Sequence, residues 1–360
     1  MFKRKFGFIL TAAMLAIAVV LSGCTKEKSP QEAFMSSMSK SAEMKSYQFN
    51  GSLKIEDLSI SDLANDPEAG LVLNLLKNAE LSWTGAYRAD PMMAEINLQL
   101  VVKGDMAVTI GLPIIVTDKK MWVKIPNIPL FPIVPEHLVD KYIELDLEQL
   151  AEESGQPMPS FDVAQSQKFL NDLLEIVFKH IEADQYIQNV KVNEAGLPSG
   201  VEAKQVIRLQ VDQTKIEPLA SAFVEKIAPE VIDLLSNNQE YRDMLQVTQE
   251  DLNDAKEGLK DADLTEGLAE LNKHLKKLDL TANYGIDKNG YSIYSDLTFG
   301  LAVDTEQDGS FSMSIKVLNE NTGINEEPKF EIGEPKSEDI ITMEQLEAEF
   351  GGMGGFGSEF

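Results

Sequence analysis

Alternation of apolar and polar residues, repeated along most of the chain, constrains this sequence more than any other feature. Tyr47, Phe49, Gly51, Leu53 and Ile55 alternate with polar residues, and Leu81, Trp83, Gly85 and Tyr87 do the same. Ile96, Leu98, Leu100 and Val102 follow, then Val108, Ile110, Leu112 and Ile114, then Met121, Val123 and Ile125, then Ile143, Leu145 and Leu147. The pattern returns late in the chain with Leu280, Ala282, Tyr284 and Ile286, with Leu297, Phe299, Leu301 and Val303, and with Phe311, Met313, Ile315 and Val317. Side chains of a strand point alternately to its two faces, so a period of two with a polar opposite set predicts an antiparallel sheet wet on one side. Asp287-Lys288-Asn289-Gly290 supplies a hairpin turn, because Asn-Gly tolerates the positive φ angles required.

Helical spacing punctuates the strands. Ser29-Pro30-Gln31-Glu32 is a capping box with proline at the first helical position, and Phe34, Met38 and Ala42 share one face of a helix ending near Lys45. Leu71, Leu75 and Ala79 suggest a short helix between two strands. Residues 164–181 carry Leu170, Leu173, Leu174, Val177 and Ile181 at helical spacing, widened by Phe169, Ile176 and Phe178. Two strands are expected at 186–192 and 201–211. A second capping box, Thr214 to Glu217, opens a helix bearing Phe223, Ile227, Val231 and Leu235, which Pro229 should kink. Residues 237–278 read as an acidic helical insertion, peripheral because its apolar positions are sparse. Residues 320–360 read as an acidic and Gly-rich tail, partly disordered. The class is α+β.

The segment 126–135 holds four prolines in ten residues, which forbid a helix and a central strand. It nevertheless carries Ile128, Leu130, Phe131, Ile133 and Val134. Two readings stand: a stiff loop folded over the core, or an apolar lip touching ligand, partner or bilayer.

At the N-terminus, Lys3, Arg4 and Lys5 precede an apolar run from Phe6 to Leu21 and then Leu21-Ser22-Gly23-Cys24. This is the layout of a secretory signal peptide, residues 1–23. The run is short for a membrane span, and polar residues follow it directly. Leu-Ser-Gly-Cys resembles the bacterial lipobox. That resemblance implies a thioether-linked diacylglycerol on Cys24, cleavage before it, palmitate-type acylation, and a tether over 24–29. It places the domain on the extracytoplasmic face of the bacterial membrane. Cys24 is the single cysteine, so no intrachain disulfide forms. A net charge of −27 argues against nucleic acid as a partner.

The junction Met44-Lys45-Ser46-Tyr47-Gln48-Phe49-Asn50-Gly51 and the connection Gly196-Leu197-Pro198 resemble the lipoprotein-carrier superfamily of LolA/LolB-like and LppX/LprG-like proteins. The resemblance runs from Gln31 to Asn319, within a domain of 30–319. It implies a curved antiparallel half-barrel with helices packed on its concave face. It also implies a role in binding an acyl chain, a lipid or a lipidated protein, or in sensing a partner. The cleft candidates are Phe169, Leu173, Val177, Phe223 and Ile227 from the helices, with Leu130 and Phe131 from the proline-rich segment. For the helical residues the plain alternative is that they fill the core.

No catalytic pattern emerges. His137, His180 and His274 do not stand at ligand spacing, and no His-Glu-x-x-His occurs. Asp304-x-Glu306-x-Asp308-Gly309 resembles the opening of a calcium loop, but Ile315 occupies the position of its bidentate glutamate. Gly196 to Gly200 is out of register for a nucleophile elbow. The expectation is a non-enzyme without metal or cofactor. It either holds a hydrophobic ligand or docks another cell-envelope protein through its charged insertion or a strand edge.

Overall fold

The computed structural model describes residues 28–61, 63, 66–103, 107–127, 134–149, 163–261, 264–305, 309–343 and 345–346. Cys24, Leu130, Phe131, Glu306, Asp308 and the Gly-rich terminus lie outside the described residues.

Within the described residues twelve strands form one sheet. They are β1 (Ser46–Ile60), β2 (Ala79–Ala89), β3 (Met92–Val102), β4 (Val108–Thr117), β5 (Lys120–Lys124), β6 (Tyr142–Asp146), β7 (Ile187–Val190), β8 (Gln205–Asp212), β9 (Leu275–Ile286), β10 (Ser292–Thr305), β11 (Gly309–Thr322) and β12 (Ile340–Thr342). Their order is β12-β6-β5-β4-β3-β2-β1-β11-β10-β9-β8-β7, so the sheet is open, with β12 and β7 as its edges. Every pairing is antiparallel except β12 with β6. Two meanders, β1 to β6 and β7 to β11, are joined at the centre. There β1 lies between β2 and β11, pairing Gln48–Ile60 with Phe311–Thr322. The architecture is α+β, as expected, with an open antiparallel sheet and several helices.

The helices are α1 (Pro30–Ser41), α2 (Pro67–Lys77), α3 (Val163–His180), α4 (Ile216–Ala222), α5 (Ala228–Asn237), α6 (Gln239–Leu245), α7 (Gln249–Asp261) and α8 (Leu264–His274). The capping box of α1 is formed. Ser29 Oγ accepts the Glu32 N–H at 3.1 Å, and the Glu32 carboxylate accepts the Ser29 N–H at 2.9 Å. The box expected at Thr214 is not formed. Asp212 accepts the Thr214 N–H at 2.9 Å and turns the chain through a 3-10 turn at Gln213–Lys215 instead. Pro229 does not break its helix. A π-helical turn, Phe223–Ile227, lies between α4 and α5 and leaves Pro229 in the first turn of α5. A proline has no N–H to donate there and its ring needs room near the preceding turn, which the wider turn provides.

Phe34 of α1 stands edge-on to Phe178 of α3 at 6.1 Å and to Tyr284 of β9 at 4.9 Å. With Tyr186, Ile187, Ile207 and Ile286 they form the main core, which lies over β7, β8 and β9. A second cluster is purely helical: Ile232, Leu235, Tyr241 and Leu252, with Phe169 and Val231 against it. The acidic segment is therefore not peripheral. Tyr241 and Leu252 are buried, and Tyr241 donates to Asp172 at 2.5 Å while accepting from Lys168 at 2.7 Å. Its helical part also stops at His274, since Leu275 opens β9.

The folded region continues past Asn319. After β11 the chain crosses the sheet as a strap ending in β12. Asn325 N–H donates to Ser46 O at 2.7 Å, and Lys141 Nζ donates to Glu338 O at 2.8 Å. Glu95, buried on β3, accepts the N–H groups of Glu331, Ile332 and Gly333 at 2.9, 2.9 and 3.0 Å. Phe330 and Ile340 of the strap pack on Met93, Ile115, Trp122 and Tyr142.

Candidate functional site

Residues directly opposite in an antiparallel ladder share a face, so the register assigns every paired side chain. One row runs Leu209, Ala282, Leu297, Val317, Leu53, Leu81, Leu100, Ile110 across eight strands. The next runs Val211, Leu280, Phe299, Ile315, Ile55. On the other side lie Asn319, Gly51, Trp83, Leu98, Leu112, then Asn321, Phe49, Gly85, Ile96, Ile114, Val123, Ile143, Ile341. We call this the inner face. None of the side chains in these rows carries a charge.

The charged strand residues sit on the opposite, outer face wherever they have a ladder partner. Glu56 and Lys276 fall in bulges. Arg208 Nε donates to Asn283 Oδ1 at 2.7 Å, and Asn283 Nδ2 donates to Asp296 at 2.8 Å, tying β8, β9 and β10 together there. Farther along, Lys120 Nζ and Trp122 Nε1 both donate to Glu144 at 2.8 Å. The Lys120 hydrogen bond, then that of Trp122, holds the Glu144 carboxyl below its usual range.

Burial divides the inner face in two. Over β7 to β9 the helices α1, α3 and α4 cover it, and Ile187, Ile207, Ala282 and Ile286 are buried. Over β10, β11 and β1 to β4 the same face continues, but Leu53, Ile55, Leu81, Trp83, Leu98, Leu100, Ile110, Leu112, Phe299, Ile315 and Val317 are only half-buried. Burial pushes up the phenols of Tyr47 and Tyr284, both on this face.

Two glycines shape the floor. A Cβ on Gly51 would stand 2.4 Å from Trp83 Cε2, and one on Gly85 would stand 2.4 Å from Phe49 Cζ. Each glycine thus lets a neighbouring aromatic ring lie across its strand. Trp83 reaches over Gly51 to donate its Nε1–H to Asn319 Oδ1 at 3.4 Å. From there Asn319 Nδ2 donates to Asn321 Oδ1 at 3.5 Å and Asn321 Nδ2 donates to Ser292 O at 3.2 Å. Ser295, opposite both Asn319 and Tyr284, completes a small uncharged polar patch among these apolar rows.

At the end of the sheet where β1 stops and β2 begins stands α2, packed against β1. Its Leu71, Val72, Leu75 and Leu76 are exposed, Leu71 by 61%.

The helical cleft candidates are distributed differently. Phe169 stacks at 5.0 Å on Tyr241 in the helical cluster, and Ile227 is buried. Leu173 and Val177 are half-buried on α3, and Phe223 projects from the π-helical turn. Helix α3, which carries Phe169, Leu173 and Val177, packs against the π-helical turn that carries Phe223 and Ile227. The half-buried sheet rows form a separate apolar surface, and their alternation in the sequence was the signal for them. Among the described residues no group of three or more His, Cys, Asp or Glu could hold a metal ion. Among the described residues no helix is long and apolar enough to cross a membrane.

No family model matches the chain, and no curated protein matches it. Among solved structures, a β-barrel-like protein of a domain of unknown function, DUF1849, from Brucella abortus is similar at 11% identity. It aligns over 76% of this chain and 96% of its own, with a TM-score of 0.14.

Proposed function

We propose that the chain is a membrane-anchored extracytoplasmic lipoprotein that holds the acyl chain of a lipid or lipidated protein against the inner face. One observation carries this reading: an uncharged, half-buried apolar surface runs across six strands of a protein with net charge −27. Apolar surface of this extent left to water is costly, at about 25 cal/mol per Å², and a chain-like apolar ligand lying along the rows would remove it from water. An open antiparallel sheet with helices on one face also suits the lipoprotein-carrier superfamily. The anchor in this reading is diacylated Cys24, and no catalytic step is assigned to any residue.

Organic-solvent extraction of the purified protein, followed by mass spectrometry, tests the ligand. Co-purified acyl lipid is expected. A clean extract together with a stably bound protein would instead favour a docking module of the envelope. Metabolic labelling with a palmitate analogue tests the anchor: label should appear on the wild type and vanish in Cys24→Ala.

A further inference from the structure

We propose that the polar part of the ligand is uncharged and hydrogen-bonding, as in a diacylglycerol, and that it seats on the amide row Ser295–Asn319–Asn321. This rests on the reading of the inner face as a lipid site and goes beyond it by naming the class of lipid. The ladder pairs Ser295 with Asn319, Asn319 with Gly51, and Asn321 with Phe49, which puts all three polar side chains among the apolar rows. Val317, Leu53 and Leu297 border them on one side. No lysine or arginine with a ladder partner shares that face.

The charge balance decides the headgroup. A carboxylate or phosphate brought onto this face would lose water and meet no strand cation, and Lys40, at the end of α1 beside Tyr291, is already paired with Glu43 at 2.6 Å, so the transfer is strongly unfavourable. The surrounding charge of −27 adds repulsion at longer range. An ester or hydroxyl group meets neither penalty. The amides have capacity for it: each Asn side chain carries two donors and an acceptor with two lone pairs. Their mutual bonds are long, 3.4 Å from Trp83, 3.5 Å between the two amides and 3.2 Å to Ser292, so a ligand oxygen competes well for the same hydrogens. The acyl chains then extend from the amide row over Val317, Ile315, Leu81 and Leu98.

The test measures binding of the purified chain to four probes: diphenylhexatriene, dioleoylglycerol, palmitate and dioleoyl phosphatidylglycerol, at neutral pH. Diphenylhexatriene has no polar group and reports the apolar face alone. Dioleoylglycerol should bind at least about tenfold more tightly than either anionic lipid, with little salt dependence. The double variant Asn319→Leu/Asn321→Leu should lose about tenfold or more for dioleoylglycerol and keep diphenylhexatriene binding. Val317→Lys, which places a cation beside the amide row, is the second variant. It should raise palmitate affinity by about tenfold whether or not the leucine variant folds. Binding of palmitate or phosphatidylglycerol as tight as that of dioleoylglycerol overturns the headgroup proposal alone, as does an unchanged double variant. Failure of all four probes overturns the lipid-site reading together with it.

Discussion

Trp83 lies across Gly51. A methyl group on Gly51 would stand 2.4 Å from the indole Cε2 and 2.5 Å from the carbonyl oxygen of Leu318. The carbonyl belongs to the β11 backbone and cannot give way, so the indole has to move and its bond to Asn319 is lost. Gly51→Ala should therefore cost about 1–3 kcal/mol and change the tryptophan fluorescence as the ring is pushed aside. Gly111, on β4, has nothing within 4 Å of such a methyl. Gly111→Ala should leave the urea midpoint unchanged or slightly raised. Equal effects at the two positions would mean that the ring does not rest on Gly51.

Glu95 should hold the strap. The residue is 4% exposed, and its carboxylate takes three backbone N–H groups from residues 331–333. Glu95→Ala strands those donors on a partly buried surface and removes three charge-assisted bonds. A loss of about 3 kcal/mol or more is expected, since one such bond contributes about 1.5–3 kcal/mol and neighbouring losses do not add fully. Limited proteolysis should then cut within 323–339 before the sheet unfolds. A variant cut no faster there than wild type would show that the strap is held by Phe330 and Ile340 instead.

The two findings differ in how far the sequence reveals them. Trp83 and its inner-face neighbours are legible because a period of two assigns each side chain to a face before any pairing is known. The pairing itself is not legible: β1 joins β11 across some 270 residues, and alternation does not select a partner. Nor does alternation say which rows the helices cover, so Ile207 and Leu98 read alike although one is buried and the other is not. The strap escapes pattern reading because backbone amides hold it to one carboxylate, with few apolar residues of its own. Residues 239–261 look peripheral for a related reason. Two well-placed side chains, Tyr241 and Leu252, do the packing that periodic counting expects from many.

Those two side chains make the helical cluster sensitive. Tyr241 is 1% exposed, stacks on Phe169 and bonds to Asp172 and Lys168. Tyr241→Ala should cost about 3–5 kcal/mol, because a large buried ring leaves a cavity and Asp172 loses a donor. Deleting residues 238–262 should uncover Ile232, Leu235 and Phe169 and give an aggregation-prone protein. A soluble truncation with the wild-type melting temperature would show that the cluster adds nothing to the fold.

Stability should fall on the alkaline side. Burial, helped by the charge of Asp296 and a hydrogen bond to it, pushes the Tyr294 phenol up to about 12 from an ordinary 10.0. Between those values the folded protein binds more protons than the unfolded chain. Its stability is therefore full below pH 10 and declines as pH rises toward 12. Tyr294→Phe should flatten part of that decline. Tyr47 and Tyr284, also raised by burial, should keep the rest. A wild-type urea midpoint that stays level from pH 9.5 to 11.5 would contradict the assignment.

The exposed leucines of α2 should be dispensable to the fold. Leu71, Val72, Leu75 and Leu76 are exposed by 61, 55, 48 and 42%, while Ala69 and Leu73, one helical turn apart, are half-buried. Glutamine has nearly the helix propensity of leucine and exceeds valine. The fourfold replacement by glutamine removes the exposed apolar stripe without weakening the helix or uncovering a core. Its stability should lie within about 0.5 kcal/mol of wild type, the range of ordinary surface substitutions. Leu73→Ala, one residue on the covered side, should cost more than all four together. If the fourfold variant melts well below wild type while Leu73→Ala does not, α2 is packed the other way round, with its apolar stripe against the protein.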